Sequence, residues 1–568
     1  MSTLAEIQAL PAETFPQIGK ASDNGNWYIV APNETGSTAE KIGPEVAASL
    51  VASGTVELAT IAETDTGTDV TRAVTPAGLA GSALQAKANE ASNKTANLLS
   101  LTLVGDSSND VKAYTLGEWV AMGVITANWK LNDTTLTSLH IGQGVTSIGA
   151  NAFDGCTGLK GNLVIPSSVT AIGNSAFEGN LTATGTLTLN EGLLTIGDDA
   201  FKNVGFTGDL VIPNSVTAIG DLAFRGTGHT GTLTLGSGLL TLGDGAFHDV
   251  SFTGTLNVPG SITHLELNTF ANGSWSGLIL NEGLLTTGDG IGGPSDGAFE
   301  DNDFEGSLVI PNSMTRIGNK TFYNAGFTGT LTLGSGLLTI GDQAFRHAEF
   351  TGSLTIPGNV TAIGYGVFDG CEDFDGTLTL NEGLLTIGDY AFEECTGLTG
   401  NLTIPNSVTT CGEGAFMECT GLTSVTIGSG LTVLPDSIFE ECTALTSVTI
   451  PDNITRIDDE AFEDCTGLTS VTIPEGVTHI GDSAFEGCTA LPSVTIPSTV
   501  TTLDSQAFRD CTALATITCH ITQTIFEANS VALLNSGVTS IIADTGKGWT
   551  AGAGQTISGK SGITVTLV

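Results

Sequence analysis

Apolar residues recur along most of this chain at positions that predict short strands. In the stretch LPSVTIPSTVTTLDSQAFRDC, residues 491–511, apolar and polar residues alternate up to Ile496, as expected of a short strand with one buried face. Pro497 ends the strand because it has no N–H to donate to a neighbour. A second inward-facing segment begins at Val500, and residues 505–511 predict one turn of α- or 3₁₀-helix whose Ala, Phe and Cys face the core.

The same pattern returns at a fixed interval. When the units are aligned on the Phe of Ala-Phe, every interval is 23 or 24 residues except one of 29, between Phe270 and Phe299. The marker phenylalanines are Phe153, Phe177, Phe201, Phe224, Phe247, Phe270, Phe299, Phe322, Phe345, Phe368, Phe392, Phe416, Phe439, Phe462, Phe485 and Phe508. A period in this range predicts a solenoid, in which each unit buries its apolar face against its neighbours.

A second, longer period runs through the units. Units of the form IPNSVTAIG, residues 212–220, alternate with units of the form LNEGLLTIG or LGSGLLTLG, residues 189–197 and 235–243. The alternation lasts until the final units, where the Ile-Pro form takes over. It indicates growth by duplication of a pair of units, and its physical role does not follow from the sequence.

Most of the 10 cysteines lie three residues after a marker phenylalanine. They are Cys156, Cys371, Cys395, Cys419, Cys442, Cys465, Cys488 and Cys511. The unbroken column from Cys371 to Cys511 has an odd number of members and cannot pair completely as disulfides. Metal-binding Cys-x₂-Cys spacing is absent, so a buried thiol column that fills one corner of each unit is predicted.

The net charge excludes several classes of partner. Asp and Glu number 60 against 17 Lys and Arg, giving a formal net charge of −43. Such a chain repels nucleic acid phosphates and anionic membranes, so we expect neither as a partner. No apolar run is long enough to span a bilayer. The start, MSTLAEIQALPAETF, lacks a basic segment followed by an apolar one, so we expect no secretory signal.

The repeated unit resembles the BspA-like (Treponema-type) leucine-rich repeat. The shared pattern is L-x-x-I-x-I-P, then V-x-x-I, then A-F-x-x-C, and it extends from Leu136 to Cys511. The resemblance implies a curved solenoid with a parallel sheet on one face, surface adhesion or ligand binding, and no catalytic residues. The expected fold is therefore a β-rich repeat solenoid of about 16 units, each with short parallel strands and a helical or 3₁₀ turn, after a separate mixed α+β region.

The region before the repeats predicts different elements. NWYIVAPN, residues 26–33, predicts a strand closed by a Pro-Asn turn. TLGEWVAMG has Thr115 and Glu118 at the spacing of a capping box, which predicts a short helix.

One segment of this region resembles bacteriophage tail-fibre proteins. ATIAETDTGTDVTRAVTPAGLAGS, residues 59–82, is similar to their pattern E-t-x-x-G-T-D-x-x-R-A-V-T-P-x-x-L. The matching positions are Glu63, Gly67, Thr68, Asp69, Arg72, Ala73, Val74, Thr75, Pro76 and Leu79. The resemblance implies a place in a trimeric shaft or its approach to the particle, and hence a homotrimer that contacts virion structural proteins.

These observations divide the chain into four regions. Residues 1–58 are interpreted as a virion-attachment region and 59–130 as a fibre-like, trimeric helical or linker region. Residues 131–518 form the repeat solenoid, and 519–568 form either a β cap or a receptor-contacting tip.

Catalysis is not predicted. The histidines have no motif spacing with Ser, Cys or a carboxylate, and no phosphate loop, H-E-x-x-H or G-x-S-x-G motif occurs. Glycosidases need only two carboxylates, so a depolymerising activity stays open on motif grounds.

Two places are candidates for receptor contact. The long interval contains a Gly- and Pro-rich loop, residues 286–299, and loops on rigid scaffolds often bind ligands, although an insertion without a function would have the same sequence. The candidates in this loop are Asp289, Ile291, Pro294, Ser295 and Asp296. In the C-terminal region the candidate is Trp549, which would contact a receptor if this region is a tip.

Carboxylates beside the cysteines form an acidic column. Successive units would bring like charges together, so calcium is one hypothesis and a solvated ridge is the other. The calcium candidates are Glu394, Glu418, Glu441 and Asp464. No EF-hand loop occurs, and no other cofactor is predicted.

The preferred hypothesis is a bacteriophage fibre or appendage, on the tail or the capsid. It would assemble in the host cytoplasm, sit on the virion surface and present the solenoid to a host-surface glycan or protein. The alternatives are a bacterial BspA-like cell-surface adhesin, or a capsid decoration without a receptor.

Overall fold

A computed structural model describes six strands before residue 139, and residues 139–141, 145–288, 297–528 and 531–568. The six strands are β1 (Gln17–Lys20), β2 (Trp27–Val30), β3 (Glu40–Ile42), β4 (Leu101–Gly105), β5 (Val111–Thr115) and β6 (Glu118–Met122). The chain forms two compact units, Met1–Lys87 and Ala88–Val568. In the described part of the chain, no helix reaches the length and hydropathy of a membrane span.

The first unit contains an antiparallel sheet in the order β1-β2-β3. Ile18 pairs with Ile29, and Tyr28 pairs with Lys41. The strand expected within residues 26–33 is confirmed as Trp27–Val30. The segment that resembles tail-fibre proteins, residues 59–82, lies outside the described residues.

The second unit opens with a meander that joins the solenoid. β4, β5 and β6 pair antiparallel, and β4 also pairs parallel with the first strand of the repeats, so that Leu101 lies opposite Leu139. The short helix predicted from Thr115 and Glu118 is wrong, because Glu118–Met122 is a strand that pairs with Val111–Thr115. Pairing along a whole strand outweighs a two-residue capping signal.

The repeats form two ladders of parallel strands, numbered in chain order. The first ladder consists of β7 (Leu139–Ile141), β9 (Leu163–Ile165), β11 (Leu187–Leu189), β13 (Leu210–Val211), β15 (Leu233–Thr234), β17 (Thr255–Val258), β19 (Gly277–Leu280), β21 (Leu308–Val309), β23 (Leu331–Thr332), β25 (Leu354–Ile356), β27 (Leu378–Leu380), β29 (Gly400–Thr403), β31 (Leu422–Thr426), β33 (Ser447–Thr449), β35 (Ser470–Val471), β37 (Ser493–Ile496) and β39 (Thr516–Cys519). The second consists of β8 (Ser147–Ile148), β10 (Ala171–Ile172), β12 (Thr195–Ile196), β14 (Ala218–Ile219), β16 (Thr241–Leu242), β18 (His264–Leu265), β20 (Thr286–Thr287), β22 (Arg316–Ile317), β24 (Thr339–Ile340), β26 (Ala362–Ile363), β28 (Thr386–Ile387), β30 (Thr410–Cys411), β32 (Val433–Leu434), β34 (Arg456–Ile457), β36 (His479–Ile480) and β38 (Thr502–Leu503). The predicted solenoid is confirmed.

The first ladder changes character along its length. From β9 to β27 its hydrogen-bonded sheets contain two strands each, whereas β29, β31, β33 and β35 form one sheet of four. β37 and β39 continue into β40 (Ser540–Ala543) and β42 (Lys560–Leu567), with the antiparallel β41 (Gly552–Ile557) at the edge. A helical turn, α1 (Gln523–Phe526), precedes β40. The C-terminal strands thus extend the ladder and close it with an antiparallel edge.

The marker phenylalanines form one buried stack. Rings of neighbouring units lie nearly parallel, with centroids 5.1 Å apart for Phe153 and Phe177. Phe270 and Phe299 keep a 5.6 Å stack although 29 residues separate them. The extra residues of that interval therefore leave the column intact.

The turn around each marker phenylalanine differs from the predicted helical turn. Residues two before and two after the phenylalanine have left-handed backbone conformations, for example Ser175 (φ 54°) and Gly179 (φ 74°) around Phe177. The N–H of Phe177 donates to Ala200 O in the next unit at 2.8 Å. A left-handed non-glycine residue costs of order 1 kcal/mol. The inter-unit main-chain bonds made by these turns, each worth about 1 kcal/mol, offset that cost.

The cysteine column is buried and its thiols are free, as predicted. Its thiols also make hydrogen bonds that the sequence spacing does not predict. The Sγ of Cys371 donates to Phe345 O of the preceding unit at 3.0 Å, and the same bond recurs at each cysteine up to Cys511. Asn180 occupies the same position and donates to Phe153 O at 3.0 Å. This corner therefore satisfies a buried carbonyl as well as filling space.

The alternation of units has a physical role. Glu191 of an LNEG unit accepts the N–H groups of Asn214 and Ser215 in the next unit at 3.1 and 3.0 Å. Asn214 Oδ1 in turn accepts the N–H of Ser237 one unit further, at 2.9 Å. Glu282 and Glu382 make the same bonds. The LNEG and IPNS forms of unit thus each carry a side chain that bonds the turn of the next unit.

A ladder of acidic side chains runs beside the second strands. Asp198 Oδ1 accepts the N–H of Asp221 at 3.1 Å, and Asp221 Oδ1 accepts the N–H of Asp244 at 2.9 Å. Asp459 and Asp482 repeat this bond at 2.8 Å. Part of the negative charge is therefore a structural bond between units.

We predict that the triple variant Glu191→Gln, Glu282→Gln, Glu382→Gln melts at a lower temperature than the wild type at pH 7. Hydrogen bonds from N–H groups of the next unit lower the pKa of these carboxyls. For Glu191 the largest cause is the N–H of Asn214. A carboxyl with a lowered pKa stabilises the folded state at pH values above its ordinary pKa. This stabilisation is lost as the pH falls through the folded-state pKa. The difference in Tm should therefore vanish in acid.

Thermal unfolding followed by circular dichroism measures the difference in Tm, once at pH 7 and once in acid below the folded-state pKa of these carboxyls. Glu349→Gln, at an exposed carboxylate, is the control and should leave Tm unchanged. A triple variant with wild-type Tm at pH 7 would contradict the proposed bonding role.

Candidate binding surfaces

The predicted receptor loop cannot be placed. Asp289, Ile291, Pro294, Ser295 and Asp296 lie outside the described residues, so their role stays a prediction.

Trp549 is not a surface residue. Its indole is 6% exposed and lies edge-on to Phe526, with ring centroids 5.4 Å apart. Its Nε1 donates to Ile521 O at 2.9 Å. The indole N–H is satisfied and the ring is covered, so the assignment of Trp549 to receptor contact is corrected to a core role at the C-terminal end.

The four calcium candidates share one backbone environment. Glu394, Glu418, Glu441 and Asp464 are all left-handed, and the N–H of each donates to a carbonyl of the next unit, as from Glu418 to Glu440 O at 2.8 Å. The carboxylates that cluster are not those of the four candidates but those of nearby residues. Glu440, Glu460 and Glu463 each place one oxygen within 4.8 Å of the others. Calcium at the four candidates stays a prediction.

A second group, Asp459, His479 and Asp504, brings its ligand atoms equally close. The Nε2 of His479 lies 3.4 Å from Asp504 Oδ2. Asp459 already uses one oxygen in the acidic ladder. The contact between His479 and Asp504 and the structural bond of Asp459 therefore account for the proximity of these three side chains.

The carboxylates on the turns around the marker phenylalanines from Glu393 to Glu486 form what we call the acidic ridge. Burial and mutual repulsion disfavour their charged form. Burial raises the pKa of Glu463 to about 7, and the carboxylate of Glu486 adds to the rise. Burial likewise raises the pKa of Glu393 to about 7, with Asp369 as the next cause. The folded chain thus holds protons here that an unfolded chain would release.

The surface formed by the first ladder between Thr403 and Thr518 carries hydroxyl side chains. We call it the hydroxyl face. Its members are Thr403, Ser424, Thr426, Ser447, Thr449, Ser470, Thr472, Ser493, Thr495, Thr516 and Thr518. Successive side chains of a strand point to opposite faces, so Val425 and Val448 enter the core and these residues point outward. They are exposed or half-buried.

Strand register aligns the hydroxyl face into two columns. Ser424 lies opposite Ser447, and Thr426 lies opposite Thr449. Thr495 lies opposite Thr518, and the first column continues through Ser540 into the C-terminal strands. Parallel strands lie about 4.8 Å apart, so each column presents a hydroxyl at that interval.

The hydroxyls of this face have almost no internal partners. Ser424 Oγ donates to Asn401 Oδ1 at 2.6 Å. Among the described residues, the other members make no side-chain hydrogen bond. Some threonines elsewhere on the same units do bond internally: Thr478 and Thr501 donate to main-chain carbonyls at 3.1 Å. The face therefore offers free donors and acceptors to solvent or a partner.

Charge and hydropathy set this face apart. It contains no acidic or basic residue, although the chain has 60 Asp and Glu. Further toward the amino terminus the equivalent positions include exposed aliphatic residues, such as Val211 at 53% and Val309 at 59%. Sequence reasoning missed this face, although the recurring T-S-V-T-I of the final units carried the signal.

A profile of the family described as "BspA type Leucine rich repeat region (6 copies)" matches residues 128–247, 194–291, 295–400, 376–488 and 432–545. No curated protein matches the chain.

Several solved structures of leucine-rich repeat proteins are similar to this chain at low sequence identity. A leucine-rich repeat protein from Bacteroides ovatus is 22% identical, covering 74% of this chain and 92% of its own, with a TM-score of 0.44. The pneumococcal vaccine antigen PcpA is 17% identical, covering 77% and 98%, with a TM-score of 0.34. A leucine-rich cell surface protein from Faecalibacterium prausnitzii is 21% identical, covering 75% and 94%, with a TM-score of 0.26.

We predict that Glu463→Gln raises Tm at pH 8 and leaves it nearly unchanged at pH 4. A carboxyl with a raised pKa favours folding while protonated, so its stability is present below its ordinary pKa of about 4.3 and is lost as pH rises through the folded value. Glutamine stays neutral and avoids that loss.

Differential scanning calorimetry at the two pH values measures this effect, with the exposed Glu475→Gln as control. An equal gain at both pH values would rule out a titration of Glu463 as the cause.

Proposed function

This chain belongs to the family of proteins with BspA-type leucine-rich repeats, and from that premise we propose that it is a surface adhesin that holds its partner on the hydroxyl face. The fold is typical of binding and scaffold proteins.

The observation that carries the proposal is the contrast between this face and the rest of the chain. A net charge of −43 repels most anionic surfaces, and the hydroxyl face is an uncharged area on that background. Its unbonded hydroxyls repeat from unit to unit. A repeated face makes many weak contacts at once, which is how a multivalent surface holds a partner without a deep pocket.

A second candidate function is attachment of a bacteriophage to its host. The segment at residues 59–82, similar to tail-fibre proteins, favours it. In that case the chain would form a trimer on the virion surface, bind virion structural proteins through its amino-terminal region, and use the same hydroxyl face for the host. Mass spectrometry of purified particles and of cell-surface fractions separates the two locations.

We predict that Thr403→Glu with Thr495→Glu weakens binding of the full chain to whole cells roughly tenfold, equivalent to about 1.4 kcal/mol. Charges placed on the face must be desolvated on contact and repel acidic partners. The measurement is binding of fluorescently labelled protein to a panel of bacterial and animal cells.

The matched control is Thr410→Glu with Thr502→Glu. Each control residue is an exposed strand threonine on the same unit as its counterpart, but in the second ladder. Equal losses for the two pairs, or none for either, would reject the hydroxyl face as the adhesive surface.

A further inference from the structure

We infer that the partner of the hydroxyl face is an ordered, uncharged polysaccharide whose sugar hydroxyls repeat along the chain. This inference rests on the proposed function and names the chemistry of the ligand.

The shape of the face excludes a small ligand. Sites for small molecules are concave and enclose most of the ligand. The hydroxyl face is the outer side of two successive sheets: β29, β31, β33 and β35 are hydrogen-bonded side by side in the first, and β37 and β39 begin the second. A single sugar laid on it would gain few contacts against the entropy lost on binding. Only a long partner engages enough of the face.

The composition of the face argues against a protein partner. Hot spots of protein interfaces are rich in Trp, Tyr and Arg, and Ser and Thr are under-represented there. The members of the hydroxyl face are all Ser or Thr, and so none of them supplies such an anchor.

Sugars complement these residues group by group. Each threonine presents a methyl and a hydroxyl that both donates and accepts, and a sugar ring presents C–H groups and hydroxyls of the same kind. One hydroxyl bond to a partner contributes little, because water competes for it. A partner with hydroxyls at a regular interval can satisfy many at once, and a rigid fibril loses less freedom on binding than a flexible chain.

Charge selects among polysaccharides. An anionic polymer would be repelled by the acidic ridge, which includes Glu440, Glu463 and Glu486 on the turns of the same units. A cationic polymer would be drawn to that ridge and away from the face. The uncharged class is the one that the face itself favours.

The test uses the full chain and three kinds of probe: cellulose and chitin fibrils as insoluble uncharged polymers, short soluble oligosaccharides of each, and alginate as an anionic polymer. We expect the protein to sediment with an uncharged fibril and to bind neither the oligosaccharides nor alginate.

The variant Thr403→Val, Thr449→Val, Thr495→Val removes three hydroxyls while keeping side-chain shape and strand preference. We expect it to bind the fibril roughly tenfold more weakly, which is about 1.4 kcal/mol. The control Thr386→Val, Thr410→Val, Thr502→Val makes the same change in the second ladder and should bind as the wild type does. Unchanged Tm for both variants shows that the fold is retained.

Three results would overturn the inference: no sedimentation with either fibril, equally tight binding of soluble oligosaccharides, or fibril binding that the valine variant leaves intact. The proposed function fails separately. If the glutamate pair on the face still lowers cell binding while no uncharged fibril binds, the face is adhesive and its ligand is of another class.

Discussion

Main-chain hydrogen bonds between successive units are the interaction on which this structure depends. The strands supply them in two ladders, and the turns supply them through left-handed residues around each marker phenylalanine. Once the units are in register, every side-chain position becomes a column. The stacked phenylalanines, the thiols and the acidic ladder are such columns, so one unit's sequence is meaningful only in relation to its neighbours.

The columns fall into two kinds, and the difference separates structure from function. One kind bonds the next or preceding unit. It comprises the cysteine thiols, the aspartates of the acidic ladder such as Asp221, and the glutamates of the LNEG units such as Glu382. The hydroxyl face has the same regularity without those bonds. A column that the fold does not use internally is free for recognition, and the face differs from the second ladder, whose outward residues include Arg456 and His479, because it carries no charge.

The sequence predicted what periodicity determines. The solenoid, the buried phenylalanines and the free buried thiols follow from the 23- and 24-residue intervals. It failed where long-range pairing overrides local signals, as at Glu118, whose strand pairs with Val111–Thr115. Trp549 was misjudged because its burial depends on Phe526 and Ile521, which only the folded chain brings near. The hydroxyl face was not predicted, although the recurring T-S-V-T-I of the final units shows its composition, because only the folded chain shows that these hydroxyls align and lack internal partners.

The direction of the ladders bears on how this solenoid carries load. The main-chain hydrogen bonds between units run parallel to the solenoid axis. A force that pulls the two ends of the solenoid apart would therefore break the bonds of one pair of units after another, instead of loading many bonds at the same time. The weakest stretch should yield first, and the two-strand sheets before β29 are candidates for it. An adhesin built in this way would lengthen unit by unit and lower the peak force on its contact, while the four- and five-stranded sheets beneath the hydroxyl face stayed folded.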